Sequence, residues 1–315
     1  MLTEKTMVLA KLETTYGADT TPAAATDMVG AYNVSVSPNT EWNDTETQDC
    51  SMSAREGTLG KQYLDITFDH ELTGTGATPA TPLIAPCDAL LKACGYAYLA
   101  GAYTPYTTYP AGASSVTLWV HLDGQVWKAS GARGDVEFTL EAGKPAKASF
   151  TFQSLFTPYA PLVFPVGPCG GDISKPFVCI NQALSWGGTL PEVESLSFGL
   201  KNTLYARPTL DSTGGAYGIA GIDITARNAE GSFNPLSALN ASIPFLTQFQ
   251  AGTATALSYV IADAVTTITF TLPKCQIMNI TPGDRSGTRI FDLPFRAARS
   301  GGNDEITLTY TATPE

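Results

Sequence analysis

One pattern occurs twice in this chain. Val116-Thr-Leu118-Trp-Val120 leads to Gly131-Ala-Arg133-Gly134, and Ile268-Thr-Phe270-Thr-Leu272 leads to Gly283-Asp-Arg285-Ser-Gly287. From Arg133 to Arg285 the offset is 152 residues, close to half of the 315. Each copy continues into alternating apolar runs, Val136/Phe138/Leu140 with Ala148/Phe150/Phe152, and Ile290/Leu293/Phe295 with Ile306/Leu308/Tyr310. Alternation of period two is the mark of half-buried strands, so the chain reads as a doubled β unit. The halves divide at residues 158 and 159, where Pro158, Pro161, Pro165 and Pro168 crowd together.

Composition supports strands and turns over long helices. Charged residues are 15% of the chain against 43% hydrophobic, and Thr, Gly, Ala and Pro are abundant. The formal charge of −11 opposes gripping of phosphate backbones, which needs Lys and Arg to neutralise them. No apolar run is long enough to span a membrane, and the first residues, Met1-Leu-Thr-Glu-Lys-Thr, do not read as a signal peptide. Six scattered cysteines without metal-type spacing read as reduced thiols.

Local signals predict individual elements. Residues 1 to 30 read as an arm that needs a neighbour to order it. Tyr32/Val34/Val36 predicts a short strand that stops at Pro38, and residues 39 to 60 read as a long polar loop. Leu64/Ile66/Phe68 alternates with Asp65/Thr67/Asp69, a strand with one apolar and one acidic face. Cys87 to Gly95 has helical spacing with a Gly stop, placing Cys87 and Cys94 on one core stripe, and a weaker helical stretch covers Ile243 to Gln250. Asp123-Gly124 is the two-residue hairpin signal, Glu141-Ala-Gly143-Lys-Pro145 a second turn, and Ser212-Thr-Gly214-Gly215 a third. The second half has no polar loop comparable to 39 to 60.

Catalytic chemistry finds little support. His70 and His121 are the whole imidazole supply and read as strand-surface residues. Asp65 with Asp69, or Asp135 with Glu137, could sit on one face as glycosidase carboxylates do, but open Thr-rich faces do not raise a carboxyl pKa. Arg133-Gly134-Asp135 spells an integrin-type tripeptide by chance. Gly167-Pro-Cys-Gly170-Gly171 lacks the Lys-Ser/Thr of a phosphate loop. No catalytic, cofactor-binding or metal-ligating set emerges, and no cofactor is expected.

Three pieces in order carry a resemblance: Lys11-Leu-Glu-Thr-Thr-Tyr-Gly17-Ala-Asp-Thr-Thr-Pro22, Leu90-Leu-Lys-Ala-Cys-Gly95-Tyr-Ala, and Asp123-Gly124 with Gly131-Ala-Arg-Gly134. Together they resemble the tail tube proteins of long-tailed bacteriophages over most of residues 7 to 157. The second half resembles them through Gly283-Asp-Arg-Ser-Gly287 and Asp304-Glu-Ile-Thr-Leu-Thr-Tyr310.

The resemblance implies a mainly β chain of two tandem tail-tube-type β-sandwich or barrel domains, 1–158 and 159–315, each with a short flanking helix. It implies rings stacked into a hollow virion tail tube, assembled in the bacterial host cytoplasm, through which DNA passes without specific binding. Partners would be the chain itself, the tape measure protein, and tail terminator or distal tail proteins, with no membrane. Three doubled chains would supply the six positions of a ring. The 39–60 loop, through Trp42, Asp44, Glu46, Asp49, Arg55 and Glu56, would contact the adjacent ring. Asp65, Asp69, Asp135, Glu137 and Glu141 are the candidate lumen-facing acids. The competing readings are a surface adhesin or pilus-like protein with tandem β-domains, and a carbohydrate-active enzyme.

Overall fold

A computed structural model describes residues 5–47, 50–74, 84–106, 114–165, 175–211, 217–237 and 242–312. Asp49 and the Gly-rich segments at 167–171 and 212–215 lie outside them. The first half contains β1 (Thr6–Leu12), β2 (Met28–Val29), β3 (Ala31–Asn43), β4 (Thr58–Glu71), α1 (Asp88–Ala93), β5 (Tyr96–Leu99), β6 (Ala102–Pro105), β7 (Val116–Leu122), β8 (Gln125–Glu141) and β9 (Lys147–Leu155). The chain continues through β10 (Ala160–Pro161), β11 (Ala183–Trp186), β12 (Val193–Gly199), β13 (Asn202–Pro208), β14 (Ile219–Arg227), β15 (Glu230–Pro235) and α2 (Phe245–Ala251). It closes with β16 (Thr255–Ala262), β17 (Thr266–Ile277), β18 (Thr281–Arg285), β19 (Thr288–Ala297) and β20 (Thr307–Ala312). The fold is mainly β, with large antiparallel sheets, and no sheet closes into a barrel.

The backbone pairing is duplicated. β1 pairs with β7 as β11 pairs with β16, β7–β8 matches β16–β17, and β4–β9 matches β15–β19. β8–β9 matches β17–β19, β3–β4 matches β12–β15, and a short helix precedes β7 and β16 alike. By this pairing β8 corresponds to β17 and β9 to β19, with starts 141 residues apart in both cases (Gln125 to Thr266, Lys147 to Thr288). The offset of 152 therefore matches β7 residues to β17 and is corrected. Its two Gly-Arg motifs also differ in conformation: Gly131 (φ 63) lies within β8, whereas Ser286 (φ 49) and Gly287 (φ 86) form the two-residue turn of the β18–β19 hairpin.

β8 holds the molecule together. Beyond the Asp123-Gly124 turn its first part pairs with β7 and its second with β9, while Glu137 to Glu141 also pair on the other side with β12 of the second half. The result is a continuous polar-faced sheet in the order β3, β4, β9, β8, β12, β15, β19. Its other face carries Leu64, Ile66, Phe68, Phe138, Phe150, Phe152, Leu196, Phe198, Phe233 and Phe295, all buried in one core. Phe138 links the halves through ring contacts to Phe198 (5.5 Å) and Phe270 (5.2 Å).

Several local expectations change. β3 does not stop at Pro38. It runs to Asn43, because among the described residues β3 pairs only with β4 and a proline is tolerated on such an edge strand. Residues 39–43 and 58–60 are thus hairpin stem. β1 is paired within the chain and Met7 to Ala10 are buried, so the N-terminal segment is not an arm awaiting a neighbour. His70 and His121 are buried, not on the strand surface. His70 Nδ1 lies 2.9 Å from Gly30 O. The helix at Cys87–Gly95 forms as α1, with Cys87 and Cys94 both in the core.

Candidate functional site: a projecting hairpin and a polar sheet face

The β3–β4 hairpin overshoots the sheet. β9 ends at Leu155 opposite Tyr63, yet β4 continues back to Thr58, about 17 Å of two-stranded ribbon at roughly 3.3 Å per residue, held at its base where the Gln62 amide donates to Tyr217 O (3.1 Å). Lys61 and Glu41 brace this stem at 3.3 Å. Trp42 and Leu59 are Cα partners on it and are 59% and 62% exposed. The Trp42 indole N–H donates to Asp44 (2.8 Å), and the Thr45 hydroxyl donates to Glu56 O across the tip (2.7 Å). Gly57 is required here, since a Cβ would stand 2.5 Å from the Trp42 ring. Glu46, Arg55 and Met52 share the exposed tip. Large apolar groups held in solvent on a braced ribbon are characteristic of a contact surface.

Asp65, Asp69, Asp135, Glu137 and Glu141 share the polar face of β4–β9–β8, as alternation requires. They are not a bare row of charge. The Lys147 ammonium donates to Asp69 at 2.8 Å, Lys201 to Glu137 at 2.7 Å, and Lys144 pairs with Glu141. Burial pushes the Asp65 carboxyl up, against hydrogen bonds from Gln153 and Asn39. For Asp69 burial also acts upwards, but bonds from Lys147, Asn33 and Ser149 outweigh it and hold the group below its usual range.

Asp135 departs most from the reading of an open face. Lys201 and Asn202, at the start of the β13–β14 hairpin, cover it, and burial raises its pKa to about 6 despite hydrogen bonds from the Asn202 and Val136 amides. Arg133 is also covered. Its guanidinium donates to Ile222 O (2.8 Å), meets Asp223 at 3.0 Å, and stacks 4.7 Å from the Tyr16 ring. The Arg133-Gly134-Asp135 tripeptide is structural.

Sequence reading missed Glu13 and Tyr16. The Glu13 carboxylate accepts from the Gly17 amide (2.8 Å), Ser115 Oγ (2.6 Å), Thr117 Oγ1 (2.9 Å) and the Gly131 amide (2.6 Å). Tyr16 Oη donates to Gly131 O and accepts from the Ile222 amide. Both lie within the Lys11–Pro22 run, in the segment read as an arm, and their partners at 115, 117, 131 and 222 are about 100 residues or more away.

Among the described residues no group of His, Cys, Asp and Glu could hold a metal ion, and no helix is long and apolar enough to cross a membrane. A family model described as phage tail tube protein matches residues 3–314. Comparison with curated proteins finds no match. The match spans nearly the whole duplicated sheet, both hairpins and the polar face, and this chain belongs to the phage tail tube protein family.

Proposed function

We propose that three copies of this chain close into a ring of pseudo-sixfold symmetry, that rings stack into the phage tail tube, and that DNA passes through the lumen. Each chain would supply two tube domains, 1–158 and 159–315. The observation that carries this reading is the β8–β12 pairing. β8 of the first half bonds to the opening edge strand of the second, Glu137 to Glu141 against Gly199 to Ser195. The equivalent of β8 at the end of the second half is β17 continued by β18, and the equivalent of β12 is β3. Among the described residues β18 pairs only with β19 and β3 only with β4, so both equivalent outer edges are open. Open edges are a liability unless they meet, and a head-to-tail contact of β18 with β3 of the next copy repeats the internal junction.

In such a ring the face bearing Asp65, Asp69, Glu137 and Glu141 lines the channel. The partnering lysines moderate the wall while the chain remains acidic overall, which disfavours adhesion of DNA. The projecting hairpin reaches the adjacent ring. The role is structural, without catalysis. Tape measure and terminator or distal tail proteins would act at the lumen and tube ends, with assembly in the host cytoplasm. Negative-stain images and native mass measurement of the purified protein test this. Tubes with three chains per ring are expected, and six chains per ring would overturn the count.

A further inference from the structure

We infer that an open socket with an apolar floor at the far end of the sheet receives the β3–β4 hairpin tip of a second copy, through Met52. This rests on the stacking of rings proposed above and names the contact that makes it. The socket is a cavity of about 290 Å³ between β12 and the β11–β16 pair, floored by Leu140, Leu184, Leu196 and Tyr259. Leu190, which is 72% exposed, lines it together with the polar residues Glu141, Glu192, Glu194, Asn181 and Gln182.

Strand register fixes where it opens. Along β4, Thr58 is at the hairpin end and Glu71 at the other. Glu71 pairs with Lys147, beside the turn that follows Glu141, and Glu141 pairs with Ser195. Glu141, Ser195 and Glu194 all line the cavity, so socket and hairpin tip lie at opposite ends of one sheet. Copies stacked along the strand direction bring one to the other.

The count matches as well. The same end of the first half is closed by the chain itself: the Phe177 amide donates to Leu72 O (2.9 Å) and the Ala146 amide to Phe177 O (2.8 Å), laying Pro176 to Cys179 across the opening. Among the described residues each chain thus carries one long hairpin and one such socket. Met52 is fully exposed at the tip, and its unbranched, polarisable side chain suits the apolar floor of an irregular cavity. Ile180, 55% exposed beside the cavity, extends the apolar rim over which Trp42 and Leu59 would settle.

The test uses full-length protein in a Cys50→Ser background. Met52→Cys with Leu190→Cys should form disulfides in assembled tubes under mild oxidation, giving a ladder of covalent oligomers that lengthens with the tube, and should form none when the protein is depolymerised before oxidation. Leu190→Glu, at an exposed position, should leave rings intact and raise the concentration needed for stacking by about tenfold. If the parent protein forms neither rings nor tubes, the tube reading itself fails. If tubes form but the cysteines stay unlinked, the ladder stops at one ring, Leu190→Cys maps to a segment other than the hairpin, or Leu190→Glu stacks at the parental concentration, the stacking reading stands and this contact is overturned.

Discussion

Arg133 and Asp223 join the two halves of the chain, with Nη1 3.0 Å from Oδ1 and the arginine side chain almost wholly buried. The same guanidinium donates to Ile222 O and lies on the Tyr16 ring, so one residue of β8 ties the N-terminal segment to the β13–β14 hairpin. Removing one member of a buried pair strands the other without compensation. Arg133→Ala should therefore lower unfolding stability by about 3 kcal/mol, read as a shift of the chemical denaturation midpoint. Arg133→Lys should recover only part of it, since an ammonium lacks the planar fork that donates to the carbonyl and the carboxylate while laying a flat face on the Tyr16 ring.

Glu13 should behave similarly for a different reason. Its four donors include two backbone amides that have no substitute in Glu13→Ala, and a buried unsatisfied donor costs roughly 1–3 kcal/mol. A Glu13→Gln variant keeps one acceptor oxygen and should fall between the parent and the alanine variant in thermal unfolding.

Asp135 predicts a pH dependence. Its folded pKa of about 6 exceeds the ordinary unfolded value near 4, so the folded state binds more protons between these values. Its contribution is most favourable below about pH 4 and is lost as pH rises through about 6. Asp135→Asn should stabilise the chain at pH 7 by at most about 3 kcal/mol and remove that slope from the stability profile. An unchanged profile between pH 4 and 7 would show that the carboxyl is ordinary in the folded state.

The hairpin tip should be separable from folding. The Trp42–Leu59 and Asn43–Thr58 pairs close the stem, so replacing residues 44–57 by Asn-Gly leaves a two-residue hairpin of standard geometry. Such a variant should remain folded and soluble with an unchanged unfolding midpoint but fail to polymerise, measured by light scattering and by imaging.

Much of the β architecture was legible in the sequence because local chemistry decided it. Asp123-Gly124 turned where φ above zero was needed, and Leu64/Ile66/Phe68 alternated because one face is core. Pro38 misled because its meaning depends on whether a strand is central or edge, which only pairing reveals. The two histidines misled for different reasons: His70 is in register with Leu64, Ile66 and Phe68 and faces the core beside Phe150, whereas His121 meets Phe164 from a segment distant in sequence. Gly131 and Gly283 looked alike in their sequence neighbourhood, yet one sits inside a long strand and the other in a hairpin, so a correct sense of duplication came with a wrong alignment. Alternation put Asp65 with Asp69, and Asp135 with Glu137, on one face of their own strands; that the two strands share that face comes from the β4–β9–β8 pairing. The lysine partners of these acids, and the cover over Asp135, come from segments distant in sequence.

In the trimeric ring proposed above, the β8–β12 pairing would govern how quickly and at what concentration the ring closes. A ring of six separate subunits must immobilise five partners against a first, each losing translational and rotational freedom, whereas a ring of three doubled chains immobilises two. Half of the lateral contacts are then made while each chain folds, at the high effective concentration of a tethered neighbour. Closure becomes less sensitive to how dilute the subunits are, at the cost of committing alternate positions in the ring to different surfaces.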